Sequence, residues 1–349
     1  MSLHLALVVL VAFAVTALGA WVFTRTEHPL IPIDRPNHRS LHSHPIARIG
    51  GVAIAAGVAL AWLLPPFAGV NPPWNDSERS LTTLLSAALV LVVVCFIDDH
   101  RSLPVSVRFA THFACAGAAL AAIAPGTLHL GPGGPLASLM PPWVLWALLV
   151  LAMVWMTNLY NFMDGSDGLA GSVTIIGFAT LGFAAWEAEA LATTLACAAV
   201  VGAASAFLLF NWSPARAFMG DTGSIPLGFL AASIGVAGWA QGLWPLVFMP
   251  LAFAPFVLDA SVTLLRRLAR GERIWQAHRS HTYQRLVLMG CSHAQVARLY
   301  AAATFACSLA ALGLRYAPTA VLASGVLAVV VVLLVAGILI DRHWRQHAA

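Results

Sequence analysis

The sequence predicts an all-α, polytopic integral membrane protein, and three observations carry that prediction. Of its 349 residues, 60% are hydrophobic and only 9% charged, with a mean hydropathy of +0.84. A soluble domain carries about 25% charged residues, so lipid-facing surface has to replace the missing charge. Apolar runs close to the roughly 20 residues that a crossing helix needs recur along the chain. The basic residues are all Arg, with no Lys, and gather in particular loops. A net charge of +4 distributed in this way does not describe a nucleic-acid surface, and no nucleic-acid partner is expected.

About eleven stretches meet the length criterion, running approximately 2–23, 50–70, 81–97, 105–124, 142–157, 169–186, 190–210, 224–240, 243–265, 294–314 and 318–340. The first has a long apolar run, no basic leader and Arg25 directly after it, so it reads as a retained helix and not a signal peptide. The stretch from Leu169 to Phe210 is too long for one crossing and divides at Glu187 and Glu189. The stretch 224–265 divides at Gln241 and Gly242 for the same reason. Residues 125–141, with Gly131, Pro132, Gly133, Gly134 and Pro135, predict a small hairpin. Cys95, Cys115, Cys197 and Cys307 fall in apolar helices and Cys291 in a polar loop. None has CxxC or zinc spacing, so free thiols are expected. Residues 1–349 read as one membrane-embedded domain, without repeats or a soluble module.

The loops give the orientation. When alternate loops are sorted by side, Arg79 and Arg315 fall on one side and every other Arg on the opposite side. The Arg-rich side is then cytoplasmic by the positive-inside rule, with the N-terminus outside and the C-terminus inside.

Five carboxylates sit at the cytoplasmic ends of these helices. They are Asp98 and Asp99 in FIDDHRSLP, Asp164 and Asp167 in NLYNFMDGSDGLAG, and Asp221 in FMGDTGS. A single one would read as a solvated helix end. Five in three loops on one face point to cation binding, because carboxylates beside apolar helices are costly unless paired, hydrated or metal-bound. Mg²⁺ is the expected ion, with Mn²⁺ as a substitute, since Mg²⁺ takes one or two carboxylates plus substrate phosphate oxygens. Gly165, Gly168, Gly171, Gly220 and Gly223 flank the acids and permit close backbone approach to a ligand. Helices expected to begin near Ser166 and Ser224 would offer N–H groups to an anion. The loops DRPNHRSLHSHPIARIGG and RRLARGERIWQAHRSHTYQR supply Arg and His. Arg266, Arg267, Arg270 and Arg273 read as serving orientation and lipid-headgroup binding. His278, Arg279, His281, Tyr283 and Gln284 better suit clamping of phosphates, the usual means of phosphoryl transfer. Asp259 is read as structural, pairing with Arg266 or Arg267.

On these residues the chain resembles the bacterial polyprenyl-phosphate sugar-1-phosphate transferases. That family includes the peptidoglycan lipid I synthase and the enzymes that start O-antigen or enterobacterial common antigen. The resemblance runs in order through Asp34-Arg35-Pro36-Asn37-His38-Arg39-Ser40-Leu41-His42 with Arg48-Ile49-Gly50-Gly51, then Phe96-Ile97-Asp98-Asp99. It continues through Asn158-Leu159-Tyr160-Asn161-Phe162-Met163-Asp164-Gly165-Ser166-Asp167-Gly168-Leu169-Ala170, and then Asn211, Pro214 and Phe218-Met219-Gly220-Asp221-Thr222-Gly223-Ser224. The resemblance implies that a polyprenyl phosphate, such as undecaprenyl phosphate, attacks the sugar-bearing phosphorus of a UDP-N-acetylhexosamine and releases UMP. It implies Mg²⁺ on Asp221, Phe218 against the uracil with Asn211 and Asp167 nearby, and Asp98 as the base, assisted by Asp99. Asp164 and Asp167 complete the catalytic set. Asn158, Asn161, His42, Arg48, His278 and His281 complete the nucleotide and substrate contacts. Direct displacement and a covalent Asp intermediate both remain open, as does a homodimer. Many members carry a near-continuous His cluster where this chain reads His278-Arg279-Ser280-His281-Thr282-Tyr283-Gln284-Arg285. That variant resembles the O-antigen-initiating branch, which handles modified, often deoxy, N-acetylated sugars.

Two other classes fit these residues less well. An ion-coupled transporter would place its ionisable groups near the midplane and show repeat symmetry, whereas these acids sit at helix mouths. A CDP-alcohol phosphatidyltransferase requires D-G-x-x-A-R followed by G-x-x-x-D-x-x-x-D, and Asp167-Gly168-Leu169-Ala170-Gly171 breaks the first part.

Overall fold

The computed structural model describes residues 2–25, 32–34, 45–67, 76–123, 140–273 and 278–347. The predicted hairpin at 125–141 lies almost wholly outside them, and so does His42. The helices are α1 (Ser2–Phe23), α2 (Gly50–Phe67), α3 (Asp76–Arg101), α4 (Val105–Ile123), α5 (Pro142–Phe162), α6 (Leu169–Glu187) and α7 (Leu191–Asn211). They continue with α8 (Asp221–Ala240), α9 (Phe248–Ala252), α10 (Ala254–Ala269), α11 (Thr282–Leu288), α12 (His293–Leu314) and α13 (Thr319–His347). Among the described residues, nine of these are long and apolar enough to cross a membrane, and α2 is a shorter tenth. The protein is an all-α, multi-pass membrane protein.

Burial follows sequence character. Every residue from Thr222 to Trp239 of α8 is buried, as expected of a helix that is apolar all round. It packs on α3 and α5, while α1 packs on α2 and α7. The α1 contact is specific: Val8, Ala12, Thr16 and Ala20 are buried, and Thr16 Oγ1 donates to Ala53 O at 3.1 Å. On α13, Leu327, Val332 and Leu339 are all more than half exposed, a surface suited to lipid. Small residues let backbones meet. Gly51 at the start of α2 lies against Gly223 at the start of α8, where an added Cβ would overlap backbone atoms.

The stretch 243–265 departs from expectation. It is not one straight span: α9 stops at Ala252, Phe253 leaves the helical region, and α10 starts with Pro255 in its first turn. Proline lacks the N–H of an interior helical bond and clashes with the preceding turn, so the apolar run breaks where Pro255 enters. Beyond the break α10 becomes two-faced, burying Phe256, Asp259, Ala260, Thr263 and Arg267. The division at Glu187 and Glu189 holds, since α6 ends and α7 begins around them. All five cysteines are free thiols.

A small sheet lies at one end of the bundle. β1 (Ile33–Asp34) pairs antiparallel with β2 (Ile46–Arg48), and β2 pairs parallel with β3 (Ala217–Phe218), setting Arg48 opposite Phe218. At the other end, Arg315 pairs with Glu187 at 3.1 Å and donates to Ala184 O.

Candidate active site

Three chain turns at the sheet end bring the predicted carboxylates together. α3 finishes with Asp98 and Asp99, α5 runs into the loop 163–168 with Asp164 and Asp167, and α8 opens on Asp221. α8 thus begins three residues before the expected Ser224, which puts Asp221 in the first turn, where the helix dipole favours negative charge. α6 begins at Leu169 and not near Ser166, with Gly168 at φ 72° as its N-cap.

Each acid is held by identifiable partners. Asp98 Oδ1 accepts the Leu103 N–H at 2.6 Å, and Oδ2 pairs with Arg108 at 3.1 Å. Asp99 accepts the Thr222 hydroxyl at 3.3 Å, joining the end of α3 to the start of α8. Asn161 links α5 to the same turn: its Oδ1 accepts from Ser224 Oγ at 3.1 Å, and its side chain hydrogen-bonds Asp221. Asp221 shares its field with Asp98, Asp99 and Asp164, Asp99 also feels Asp98, and the cations acting on this group are Arg48 and Arg108. Burial, reinforced by Asp221, pushes the Asp164 carboxyl well above the usual carboxylate range, and Arg48 opposes this. Burial also works against the Arg48 cation, but Asp34, at 3.1 Å, together with Asp221 and Asp99 outweighs it and raises its pKa.

This donor set suits a hard divalent cation. It is made of carboxylate oxygens that outnumber the facing guanidiniums, so added positive charge relieves their repulsion. Among the described residues no three His, Cys, Asp or Glu side chains form a ready cage. An ion such as Mg²⁺ held here would complete its shell with water and phosphate oxygens.

The other site residues form a frame around the central loop. Asp167 is buried, and its Oδ2 accepts the Ala215 N–H at 3.0 Å. Asn211 is buried with both ends of its amide engaged: Oδ1 accepts from Gly168 N and Nδ2 donates to Ala217 O, each at 2.9 Å. It is therefore a brace between loop and sheet. Asn158 lies one turn deeper than Asn161, donating to Val154 O at 2.7 Å and reaching His112 of α4 at 3.3 Å. Phe218 is half-buried beside Arg48.

The basic loop after α10 is organised by Asp259, whose expected partners are corrected. Arg266 reaches Asp341 and Arg267 pairs with Glu272. Asp259 instead accepts from Thr282 N at 2.8 Å, Tyr283 N at 3.2 Å, Thr263 Oγ1 at 3.2 Å and Tyr300 Oη at 2.5 Å. His281 is buried, 3.8 Å from Asp259 and stacked with Phe162 and Tyr283. His278 lies 4.8 Å from it, ring to ring, and accepts from Ser280 Oγ at 2.8 Å. Burial, with the neighbouring His281 and Arg267, lowers the His278 pKa to about 4, which keeps the ring neutral near pH 7. Tyr283 donates to Phe162 O at 3.0 Å and lies so close to Gly165 that a Cβ there would strike its hydroxyl.

Sequence reasoning missed Thr222, Arg108, Tyr300 and His293 as members of this frame. The capping box Ser292–Gln295, legible in the sequence, could have placed His293 on the first turn of a helix. Its partners could not be read there. An apolar groove of about 150 Å³ runs between α2, α3 and α8, from Thr222 and Gly223 past Val58, Leu85 and Leu230.

Known proteins resemble the chain across the region that carries these acids. Residues 81–238, which contain Asp98, Asp99, Asp164, Asp167 and Asp221, match the description "Glycosyl transferase family 4". The chain is 28% identical over 293 residues to the probable undecaprenyl-phosphate N-acetylglucosaminyl 1-phosphate transferase of Bacillus subtilis (strain 168), covering 82% of this chain and 79% of the relative. It is 29% identical to the decaprenyl-phosphate N-acetylglucosaminephosphotransferase of Mycobacterium leprae (strain TN), covering 85% and 80%. A phospho-N-acetylmuramoyl-pentapeptide-transferase from Halalkalibacterium halodurans is 33% identical, but over only 41% of this chain and 44% of its own length. The Asp-bearing middle of the chain thus matches glycosyl transferase family 4, and most of its length is similar to undecaprenyl- and decaprenyl-phosphate N-acetylglucosamine 1-phosphate transferases.

Proposed function

We propose that this protein transfers an N-acetylhexosamine 1-phosphate, or its deoxy form, from a UDP-sugar to a polyprenyl phosphate such as undecaprenyl phosphate. The step starts O-antigen or a related surface polysaccharide at the cytoplasmic face of a bacterial inner membrane. The observation that carries this reading is the convergence of Asp98, Asp99, Asp164 and Asp221 with Arg48 at one mouth of an otherwise apolar bundle. The wide coverage of N-acetylglucosaminyl relatives, against partial coverage of the pentapeptide transferase, supports a donor without a peptide.

In this reading an oxygen of the lipid phosphate forms a bond to the sugar-bearing phosphorus. The pyrophosphate P–O bond breaks, and UMP leaves with the electron pair. Asp98, held by Arg108, takes the acceptor's proton, which is undemanding because the second pKa of a phosphate monoester is only about 6. Asp221, with Asp99 and Asp164 beside it, would hold Mg²⁺, or Mn²⁺ in its place; the ion neutralises phosphate charge when bound. Arg48 faces the same charge, and Phe218 next to it offers a ring face to the uracil. Asn161 orients Asp221, and Asn211 and Asp167 fix the loop around it. The groove beside Thr222 gives the acceptor's hydrocarbon a path to the carboxylates.

The test is UMP release by purified protein with Mg²⁺, a polyprenyl phosphate and a panel of UDP-N-acetylhexosamines. A UDP-N-acetylhexosamine or a deoxy analogue is expected to turn over, and Asp221→Ala to abolish the signal. Folded protein that is silent with every donor would overturn the reading, and near-normal turnover by Asp221→Ala would remove that residue from the metal role.

A further inference from the structure

His293 is the first residue of α12 and lies 126 positions from Asp167 in the chain. Its Nδ1 nevertheless sits 2.9 Å from Ser166 Oγ and 3.4 Å from the Asp167 backbone N, with Asp167 Oδ1 at 4.0 Å. We propose that His293 is a positioning residue for the transfer reaction: its Nδ1 accepts from Ser166 and from the Asp167 N–H, and so fixes where Asp167 holds its carboxylate. The proposal rests on the functional reading above and adds a residue that neither motif nor family comparison singles out.

The hydrogen-bond chemistry sets the ring's state. A backbone N–H can only donate, so a ring nitrogen that receives it must offer a lone pair. The ring proton then resides on Nε2, leaving Nδ1 as the acceptor. The Ser166 hydroxyl, also buried, points to the same nitrogen as a second donor. His293 thus grips the Ser166–Asp167 peptide.

The base under the imidazole is rigid. Ser292 Oγ accepts from Gln295 N at 3.2 Å, and Gln295 Oε1 accepts from Ser292 N at 2.8 Å, closing a capping box around His293. Val296, Ala297 and Tyr300 bury the next turn, and Tyr300 is tied to Asp259. The loop 163–168 is thereby held from three directions: Asn211 and Ala215 from the α7–α8 connection, Tyr283 from α11, and His293 from α12. His293 holds Asp167 by its backbone N–H, while Ala215 holds the side chain at Oδ2. A small misplacement of a group at a reacting centre is sufficient to slow catalysis about a hundredfold, which is why such a hold matters.

Asparagine and glutamine separate this role from others. The Asn carbonyl oxygen occupies roughly the place of Nδ1, whereas the Gln amide reaches toward Nε2. In the UMP-release assay on the full chain, His293→Ala is expected to lower kcat by about 10- to 100-fold, the usual range for loss of an orienting partner, with little change in KM for the UDP-sugar. His293→Asn, with its amide oxygen as acceptor, should recover most of that loss, and His293→Gln should not. Hydrogen exchange of the amides at 166–168, followed by mass spectrometry, should rise in the Ala and Gln variants and return in Asn. Wild-type turnover in His293→Ala, or an Asn variant no better than Gln in both readouts, overturns the proposal. If the Ala variant does not fold, the Asn and Gln comparison decides alone. If the wild-type chain releases no UMP with any donor, the functional reading fails, while the exchange measurement still decides whether His293 holds the loop.

Discussion

Asn211 shows how much one buried amide can organise. Its Oδ1 takes the Gly168 N–H at the point where the chain adopts φ 72°, and its Nδ2 takes the Ala217 carbonyl of β3. Asn211→Ala leaves both backbone groups without these partners, and each such buried group costs about 1–3 kcal/mol. The variant is expected to melt several degrees lower and to lose most turnover, because the loop that carries Asp167 is no longer held to the sheet. Thermal unfolding in detergent and UMP release check the two effects; an unchanged melting point would deny the bracing role. Asp259 follows the same logic from the acid side. Four donors and the nearby His281 surround its carboxylate, which fixes the start of α11. The Asp motifs themselves were legible in the sequence, since the spacing of acids and glycines is local. The donors to Asp259 were not, because Tyr300 lies 41 positions away and nothing local records which distant hydroxyl faces a carboxylate.

At the scale of elements, the site exists because two helix starts touch. α2 and α8 meet at Gly51 and Gly223, and Gly51 N donates to Met219 O at 2.9 Å. A side chain at Gly51 meets backbone, which cannot move aside as a flexible side chain would. Gly51→Ala should therefore separate Arg48 from Asp221 and cut turnover sharply. Gly117→Ala in α4, where an added Cβ meets nothing within 4 Å, should be tolerated, with a helix-propensity gain of about 0.5–1 kcal/mol. Comparable activity of the two variants would show that the close approach is unnecessary. The helices were mostly readable because each apolar run is nearly as long as the element it forms. The exception is the break at Phe253. A run of the right length reads as one span, while Pro255 converts it into α9 and a two-faced α10 whose buried side carries Asp259.

For the whole molecule, the distribution of Arg and the end-to-end placement of contacts point the same way. The Asp cluster and the sheet occupy one end, and the Arg315–Glu187 pair occupies the other. Cysteine labelling checks the assigned orientation. In a background lacking the five native cysteines, Thr319→Cys should react with an impermeant maleimide on intact cells, and Arg270→Cys only after lysis. The reverse pattern would invert the topology. That the carboxylates share one end of the bundle was legible because charge must avoid hydrocarbon; depth was not, because it depends on how the helices end. Here α13 serves as a ruler. At 1.5 Å per residue, its 29 residues extend about 43 Å, against about 30 Å of hydrocarbon. The surplus leaves at the end bearing Asp341, Arg342 and Arg345, which sets Asp341 near the waterline. Arg285 of α11 binds Asp341, so α11 lies at the same level, and Tyr283 of α11 touches the Asp164 loop. In the proposed function the carboxylates of the Asp cluster would then stand at the height of the lipid phosphates. A polyprenyl phosphate would not need to be lifted out of its leaflet; the water-soluble donor would descend to meet it.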